Sequence, residues 1–150
     1  MKRWQFGLAG SAALVLALTA APHAQNIVIK LATVVPEGSI WDKNVRQMGA
    51  DWQAATGDRV SVTVFSGGSQ GDESTVLRKM WLDALQAAAF TAVGLGSIDA
   101  SFNVFDVPFF FESYDELNAV LEKLTPLLKQ RTEAKGFVLV HWGLGGWLQV

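Results

Sequence analysis

The chain has 150 residues, no cysteine, and 12 lysines and arginines against 14 aspartates and glutamates, a formal net charge of −2. Disulfides and a lipid-modified cysteine are therefore excluded, and a mildly acidic chain without basic runs is a poor binder of nucleic acid or of anionic membranes. The length is sufficient for one domain with its own hydrophobic core.

The first 24 residues have the pattern of a secretory signal peptide. Lys2 and Arg3 precede an uncharged stretch over residues 6–21, and small residues follow at positions 20–24. A membrane-spanning helix needs about 20 apolar residues, and this core is shorter. We therefore predict export, removal of residues 1–24, and a mature protein that does not span the membrane.

Strands and helices alternate in the first half of the mature chain. Residues 27–33 are short, β-branched and apolar, which is typical of a strand, and valines alternating with polar residues over 59–65 indicate a second strand. Between them, Ser39 can cap a helix whose apolar positions face a core: Trp41, Val45, Met48, Trp52 and Ala55. Asp72 can cap a second helix, with these apolar positions on one side: Leu77, Met80, Trp81, Ala84, Leu85 and Ala88.

An apolar run over residues 87–93 completes a β-α-β-α-β order. We predict a buried strand in the second half of this run. Because the helices are long enough to cross over between strands, the order predicts an α/β fold with a parallel sheet flanked by helices on both faces.

The last third of the chain is predicted to contain two helices and a strand. Ser113 and Glu116 form a capping box for one helix, and Pro126 is suited to the first turn of another. Residues 137–142 are apolar and indicate a strand. The glycines that follow lead into what reads as the start of a further strand, so we expect the sequence to be a fragment.

One motif suggests an enzyme. Gly67-x-Ser69-x-Gly71 matches the nucleophile elbow of serine hydrolases, and Asp106 and His141 follow in the required order. However, the preceding strand alternates instead of being apolar throughout, and two residues separate the serine from the cap of the next helix. A secreted serine hydrolase is therefore kept as the alternative interpretation.

The sequence contains no other motif that indicates a catalytic, metal or nucleotide-binding site. After residue 24, His141 is the only histidine, and its position in an apolar strand favours a structural role. No acidic cluster has the spacing of a calcium loop. Gly94-Leu95-Gly96 lacks the third glycine of a dinucleotide fingerprint, and residues 67–75 lack the Gly-Lys-Ser/Thr of a phosphate loop. The sequence thus predicts neither a metal nor a cofactor.

Three loops remain as the candidate site: residues 34–39, 66–73 and 91–97. They follow the predicted parallel strands, and open α/β sheets bind ligands at the carboxyl ends of their strands. Two of the loops lead into helix N-termini, which favour an anionic ligand group. This arrangement favours a small-molecule binder over an enzyme. A secreted interaction module without a small ligand is the third possibility.

Three stretches suggest a family: IKLATVVPEGSIWDK, VTVFSGGSQGDE and FDVPFFFESYDEL. In this order they resemble the substrate-binding proteins of tripartite ATP-independent periplasmic (TRAP) transporters, of the DctP type. The resemblance runs from about Ile27 to the end of the chain. Its most specific pieces are Gly-Gly-x-x-Gly-Asp-Glu at 67–73 and Phe-Asp-Val-Pro-Phe-Phe-Phe at 105–111.

The resemblance implies a periplasmic binding protein with two α/β lobes that close around a small organic acid or related solute. Residues 25–136 would form the first lobe and residues 137–150 the start of the crossover into the second. The protein would reside in the periplasm, catalyse no reaction, and deliver its solute to the integral membrane subunits of a TRAP transporter.

The resemblance also implies ligand contacts from the first lobe: Val34, Glu73, Phe90, Thr91, Trp142 and Trp147. For Phe90 and Trp142 core packing is an equal alternative, and an acidic residue such as Glu73 is favoured in any first helical turn. Family members that bind carboxylates usually have an arginine just after the strand at 137–142, and this chain has none there. The missing arginine argues against a dicarboxylate ligand.

Overall fold

The computed structural model describes residues 26–146 and contains a three-stranded parallel sheet. Its strands are β1 (Ile27–Thr33), β2 (Val60–Phe65) and β3 (Ala87–Ala89), in the order β2-β1-β3. Both pairs are parallel. The predicted α/β class and parallel pairing are confirmed, whereas the predicted signal peptide, residues 1–24, lies outside the described residues.

The described residues contain five helices, which follow the strands or connect them: α1 (Ile40–Ala55), α2 (Glu73–Trp81), α3 (Ala92–Ile98), a 3₁₀ helix (Ala100–Asp106) and α4 (Tyr114–Glu133). The side chains of Ser39, Asp72 and Ser113 each accept a hydrogen bond from a backbone N–H in the first turn of α1, α2 and α4, so the three predicted caps are confirmed. Within residues 26–146, none of the helices has the length and hydropathy needed to cross a membrane.

Helices cover both faces of the sheet, as predicted. On one face, Gly49 of α1 lies so close to Val62 of β2 that an added Cβ would come within 2.9 Å of the valine Cβ. Ala32, paired with Phe65, points to the opposite face, because side chains alternate along a strand. There Ala32 packs with Val76 of α2 in the buried core.

The third strand lies earlier than predicted. β3 occupies residues 87–89, the first half of the apolar run 87–93, and the chain is already helical from Ala92. A run that is apolar throughout carries no periodicity, so its composition could not show where the strand ends. The end is set instead by Thr91, whose extended backbone makes it the N-cap of α3.

The prediction that Pro126 begins a new helix is wrong, because α4 continues through it. A proline removes one backbone donor and disfavours the preceding helical turn. Here, Leu121 and Leu128 lie seven residues apart on the same side of α4, and both are buried. Their burial on either side of the proline favours one continuous helix.

The strand predicted over residues 137–142 is also wrong, since these residues form no strand in the described part of the chain. Their side chains keep a strand-like alternation: Val138 and Val140 are exposed, whereas Phe137 and Leu139 are half-buried. A strand also needs a neighbour for its backbone hydrogen bonds. In residues 26–146 no strand pairs with this segment.

Contrary to the prediction, the apolar stripe of α1 does not enter the closed core. The buried residues of α1 are Asp42 and Gly49, and Trp41 in the stripe is 40% exposed. Because Gly49 has no side chain, α1 packs against the sheet through this narrow face. The stripe is left beside an open cleft.

The second helix is shorter than predicted. It ends at Trp81, so Ala84, Leu85 and Ala88 lie beyond it, and Leu85 is buried without being helical. Trp81 is 64% exposed and its ring contacts that of Phe137, with ring centres 6.1 Å apart.

Candidate functional site

The carboxyl ends of β1 and β3 are joined at the carboxyl-terminal edge of the sheet, where the strands end. Thr33, the last residue of β1, pairs with Ala89, the last residue of β3. The Thr33 hydroxyl donates to the Ala89 carbonyl at 3.0 Å and accepts from the Val35 N–H at 3.3 Å. Val34 and Phe90 therefore leave the sheet side by side at this edge.

The glycine-rich turn after β2 folds back onto the same edge. The N–H of Gly67 donates to the Val35 carbonyl at 2.8 Å, and that of Gly68 donates to the Thr33 carbonyl at 3.1 Å. Both glycines have positive φ, 65° and 69°. Two successive left-handed residues are strained for any side chain, which explains why glycines occupy both positions.

Ser69 lies in this turn as an exposed residue. Its N–H donates to the Ser66 carbonyl, a local turn contact. Within residues 26–146, no hydrogen bond joins its hydroxyl to Asp106 or His141, the residues a hydrolase triad would require. The Gly-x-Ser-x-Gly pattern thus has a structural explanation, because it forms a turn whose backbone is hydrogen-bonded to the end of β1 and the residues after it.

Two of the predicted ligand residues contact each other. Glu73, the first residue of α2, accepts from the Thr91 N–H at 2.5 Å and from the Thr91 hydroxyl at 2.8 Å. Thr91 is the N-cap of α3 and makes no capping bond with its own side chain. Glu73 therefore satisfies a free N–H at the start of α3 from a neighbouring helix and ties α2 to the end of β3.

This contact predicts that Glu73 stabilises the protein without any ligand. We expect Glu73→Ala to lower the free energy of unfolding by about 1 kcal/mol, the usual cost of losing a helix cap. Glu73→Gln is the matched control, because its amide oxygen can still accept from the Thr91 N–H. Urea denaturation without ligand measures both. Equal stability of Glu73→Ala and the parent protein would contradict the capping role.

The edge opens onto a cleft of about 1790 Å³, bounded by the stripe of α1, the β3 end of the sheet and residues 136–146. Of the predicted ligand residues, Phe90, Thr91 and Trp142 line the cleft, and Val34 and Glu73 do not. Small-molecule pockets usually measure about 300–1,000 Å³. Only part of this opening would therefore be needed for a small ligand.

The two aromatic candidates also take part in packing. Phe90 contacts the buried core between the sheet and α2. The indole N–H of Trp142 donates to the Thr125 hydroxyl at 2.9 Å. Its ring centre lies 5.9 Å from that of Phe102 and 5.8 Å from that of Phe105. Trp147 lies outside the described residues.

The described wall of the cleft carries no lysine or arginine. Its ionisable residues are Asp51, Asp106, His141 and Tyr114. A carboxylate ligand would therefore find no cationic partner among the described lining residues. In residues 26–146 there is also no group of three or more His, Cys, Asp or Glu side chains that could hold a metal ion.

Sequence reasoning missed Asp42, which is only 2% exposed. Its carboxylate accepts from the hydroxyl of Ser66, from the Gly38 N–H at 2.9 Å and from Arg46 Nε at 3.1 Å. The hydrogen bonds from Ser66, then Gly38 and Arg46, lower the pKa of Asp42 to about 2. The spacing of Asp42 and Arg46, four residues apart on one helix, was the available signal.

Asp99, the N-cap of the 3₁₀ helix, has similar surroundings. It accepts from the hydroxyl and N–H of Ser101 and from Arg131 Nε at 2.9 Å, and these contacts lower its pKa to about 2.

These two lowered pKa values predict a loss of stability in acid. A carboxyl group whose pKa is lower in the folded state stabilises the fold fully above its unfolded pKa, near 3.8, and loses that contribution as the pH falls to about 2. We expect the melting temperature to fall steeply between pH 4 and pH 2. The double variant Asp42→Asn/Asp99→Asn should melt lower at pH 7 and show a flatter profile. Parallel profiles would contradict this assignment.

Comparison with known proteins gives a consistent result. The family model described as "Bacterial extracellular solute-binding protein, family 7" (DctP) matches residues 31–150. The chain is 30% identical over 141 residues to the C4-dicarboxylate-binding periplasmic protein DctP of Rhodobacter capsulatus, covering 92% of this chain and 42% of that protein.

Two solved structures are similar in both fold and sequence. One is DctP7 of Bordetella pertussis, an extracytoplasmic solute receptor binding pyroglutamic acid, at 26% identity and a TM-score of 0.70, covering 76% of this chain and 38% of that one. The other is a TRAP periplasmic solute-binding protein of Sulfurospirillum deleyianum with bound succinate, at 25% identity and a TM-score of 0.67, covering 76% and 37%. The chain thus spans about two fifths of the length of these relatives.

Proposed function

Because the chain belongs to family 7 of the bacterial extracellular solute-binding proteins, the DctP-type receptors of TRAP transporters, we propose that it captures a small organic acid or related solute in the periplasm. It delivers this solute to the integral membrane subunits of a TRAP transporter and catalyses no reaction.

The observation that carries the proposal is the meeting of three loops at one edge of the sheet. The segments after β1, β2 and β3 are joined there by the hydrogen bonds of Thr33, Gly67 and Gly68. Ligand sites of open α/β sheets lie at such edges. In this proposal, Phe90 and Thr91 form the near wall of the site, Val34 lies next to Phe90 at the same edge, and Glu73 supports the wall through Thr91.

The domain limits belong to the proposal as well. Residues 1–24 are the signal peptide, residues 25–136 form the first lobe and residues 137–150 begin the crossover into a second lobe. The chain covers only 42% and 38% of the length of these relatives, which supports the presence of a second lobe in the complete protein. The wide cleft beside β3 leaves room for a second lobe to close over the ligand. In this proposal, Trp142 is a ligand contact that lines the cleft and also packs against Phe102 and Phe105, and Trp147, in the proposed crossover segment, is a further ligand contact.

The ligand class is an organic acid or a related polar solute. Relatives include receptors for C4-dicarboxylates, pyroglutamate and succinate. Since the described wall of the cleft contains no lysine or arginine, the positive partner for a carboxylate comes from another part of the protein. The first lobe contributes apolar and hydrogen-bonding contacts, and these favour a ligand with one acidic end over a symmetric dicarboxylate.

Thermal-shift screening of the complete, signal-processed protein tests the function. The panel contains succinate, pyroglutamate and D-galacturonate at 1 mM. A ligand present at 100 times its Kd stabilises the folded state by about 2.7 kcal/mol, which raises the melting temperature by several degrees. We expect at least one compound to do so, and titration calorimetry to confirm binding. The absence of any shift across a wider panel of organic acids would contradict the proposal.

A fluorophosphonate probe tests the hydrolase alternative with the same protein. The proposal expects no covalent labelling, in the parent protein or in Ser69→Ala. Labelling of the parent that Ser69→Ala abolishes would establish an activated serine and overturn the assignment as a binding protein without catalysis.

A further inference from the structure

We propose that Asp42 is the positioning residue of the binding edge, holding the loop before α1 and the turn after β2 in their binding geometry before any ligand arrives. This inference rests on the proposed function only in calling the edge a binding site. The contacts themselves, and the test below, do not depend on a ligand.

One buried carboxylate in α1 joins the loop before this helix and the helix itself to the segment after β2. Gly38, in the loop before α1, donates its N–H at 2.9 Å, and Arg46, one turn further along α1, donates through Nε at 3.1 Å. Ser66, the first residue after β2, donates its hydroxyl. Asp42 therefore fixes the distance between the two loops that frame the edge.

The contact with Ser66 passes directly to the ligand edge. Ser66 precedes Gly67 and Gly68, whose N–H groups donate to the Val35 and Thr33 carbonyls. The Thr33 hydroxyl donates in turn to the carbonyl at the end of β3. A chain of hydrogen bonds thus runs from Asp42 through the glycine turn to the residue just before Phe90.

An ionised carboxylate matches the groups around this position. All the groups that surround the Asp42 carboxylate are donors: two N–H groups and one hydroxyl. An asparagine has the same shape, but its NH₂ group would face at least one of these donors, and a buried polar group without a partner is costly. Asp42→Asn therefore separates the charge from the volume of the side chain.

Asp99 provides an internal control. It is also buried, accepts a backbone N–H, a serine hydroxyl and an arginine Nε, and it caps the 3₁₀ helix instead of joining the loops. Asp42→Asn and Asp99→Asn therefore make the same chemical change. Only the first touches the edge.

Hydrogen exchange of backbone amides in the ligand-free protein, followed by NMR, tests the inference. Exchange reports local opening residue by residue. At equal distance below each variant's melting temperature, we expect the amides of Gly38, Gly67 and Gly68 to exchange about tenfold faster in Asp42→Asn than in Asp99→Asn. Equal rates in the two variants, or a uniform increase over all of β1 and β2, would overturn the positioning role.

A milder pair covers the case in which Asp42→Asn does not fold. Ser66→Ala removes one donor and leaves the carboxylate, and Ser101→Ala is its counterpart at Asp99. We expect faster exchange at Gly67 and Gly68 in Ser66→Ala alone, and no difference between the two variants would also overturn the inference. Because no ligand is used, failure here is distinct from failure of the ligand screen, which would contradict the proposed function.

Discussion

Replacing Phe102 with alanine is expected to lower the free energy of unfolding by about 3–5 kcal/mol. Phe102 lies in the 3₁₀ helix and is fully buried. Its ring packs beside Trp142, which is held in place by the hydrogen bond to Thr125. Truncation removes apolar contact area and leaves a cavity beside the indole, whose hydrogen bond to Thr125 opposes its movement into the space. Urea denaturation of the purified protein measures the loss.

Phe109→Ala is the matched control for this prediction. Phe109 is the same residue type seven positions away, but its side chain is 91% exposed. Its φ of 58° is equally unfavourable for phenylalanine and for alanine, so the substitution leaves the backbone strain unchanged. We expect a change within about 0.5 kcal/mol. Comparable losses for the two variants would show that Phe102 does not belong to a closed core.

Elements whose ends carry a chemical marker could be predicted from the sequence. Ser39, Asp72 and Ser113 have side-chain oxygens suited to accept a free backbone N–H, and each begins a helix. The end of β3 has no such marker, because alanines occupy 87–89 and the run stays apolar. At Pro126 a local signal for a helix start was overridden by burial on both sides of it.

Amphipathic periodicity showed which side of α1 is apolar but not what lies against it. The structure packs α1 on the sheet through Gly49, a contact that depends on a residue with no side chain and therefore leaves no trace in a hydrophobic pattern. The same limit applies to residues 137–142. Their alternation of exposed and half-buried side chains is strand-like, but pairing depends on a neighbour that the local sequence does not contain.

The sequence predicted which loops form the candidate site, but not which of their residues contact each other. The order of the motifs along the chain placed Glu73 and Thr91 at the same edge of the sheet. In the structure, the two residues are hydrogen-bonded to each other. A carboxylate and a threonine suit a ligand and each other equally well, so residue type alone could not distinguish the two roles. Asp42 was missed because its partner Ser66 lies 24 residues away, beyond any local pattern.

Gly94→Ala is expected to lower the free energy of unfolding by about 2 kcal/mol and to weaken ligand binding. A Cβ at Gly94 in α3 would lie 2.7 Å from Glu73 Cδ and 2.7 Å from Phe90 Cδ1. Overpacking of this kind costs about 1–3 kcal/mol. Replacing a helical glycine with alanine stabilises the helix by about 1 kcal/mol. This gain offsets only part of the cost, because the added methyl group also strains the hydrogen bonds from Thr91 to Glu73. Urea denaturation and calorimetry measure the two effects.

Gly143→Ala serves as the matched control, because no atom would lie within 4 Å of the added Cβ, and it should change stability by less than about 0.5 kcal/mol. A double-mutant cycle then identifies the cause. If the methyl group of Gly94→Ala acts by displacing Glu73, its cost should shrink in a Glu73→Ala background, since the displaced group is gone and the cap is already lost. If the losses in the free energy of unfolding are strictly additive, the strain comes from Phe90 alone and Glu73 does not contribute to it.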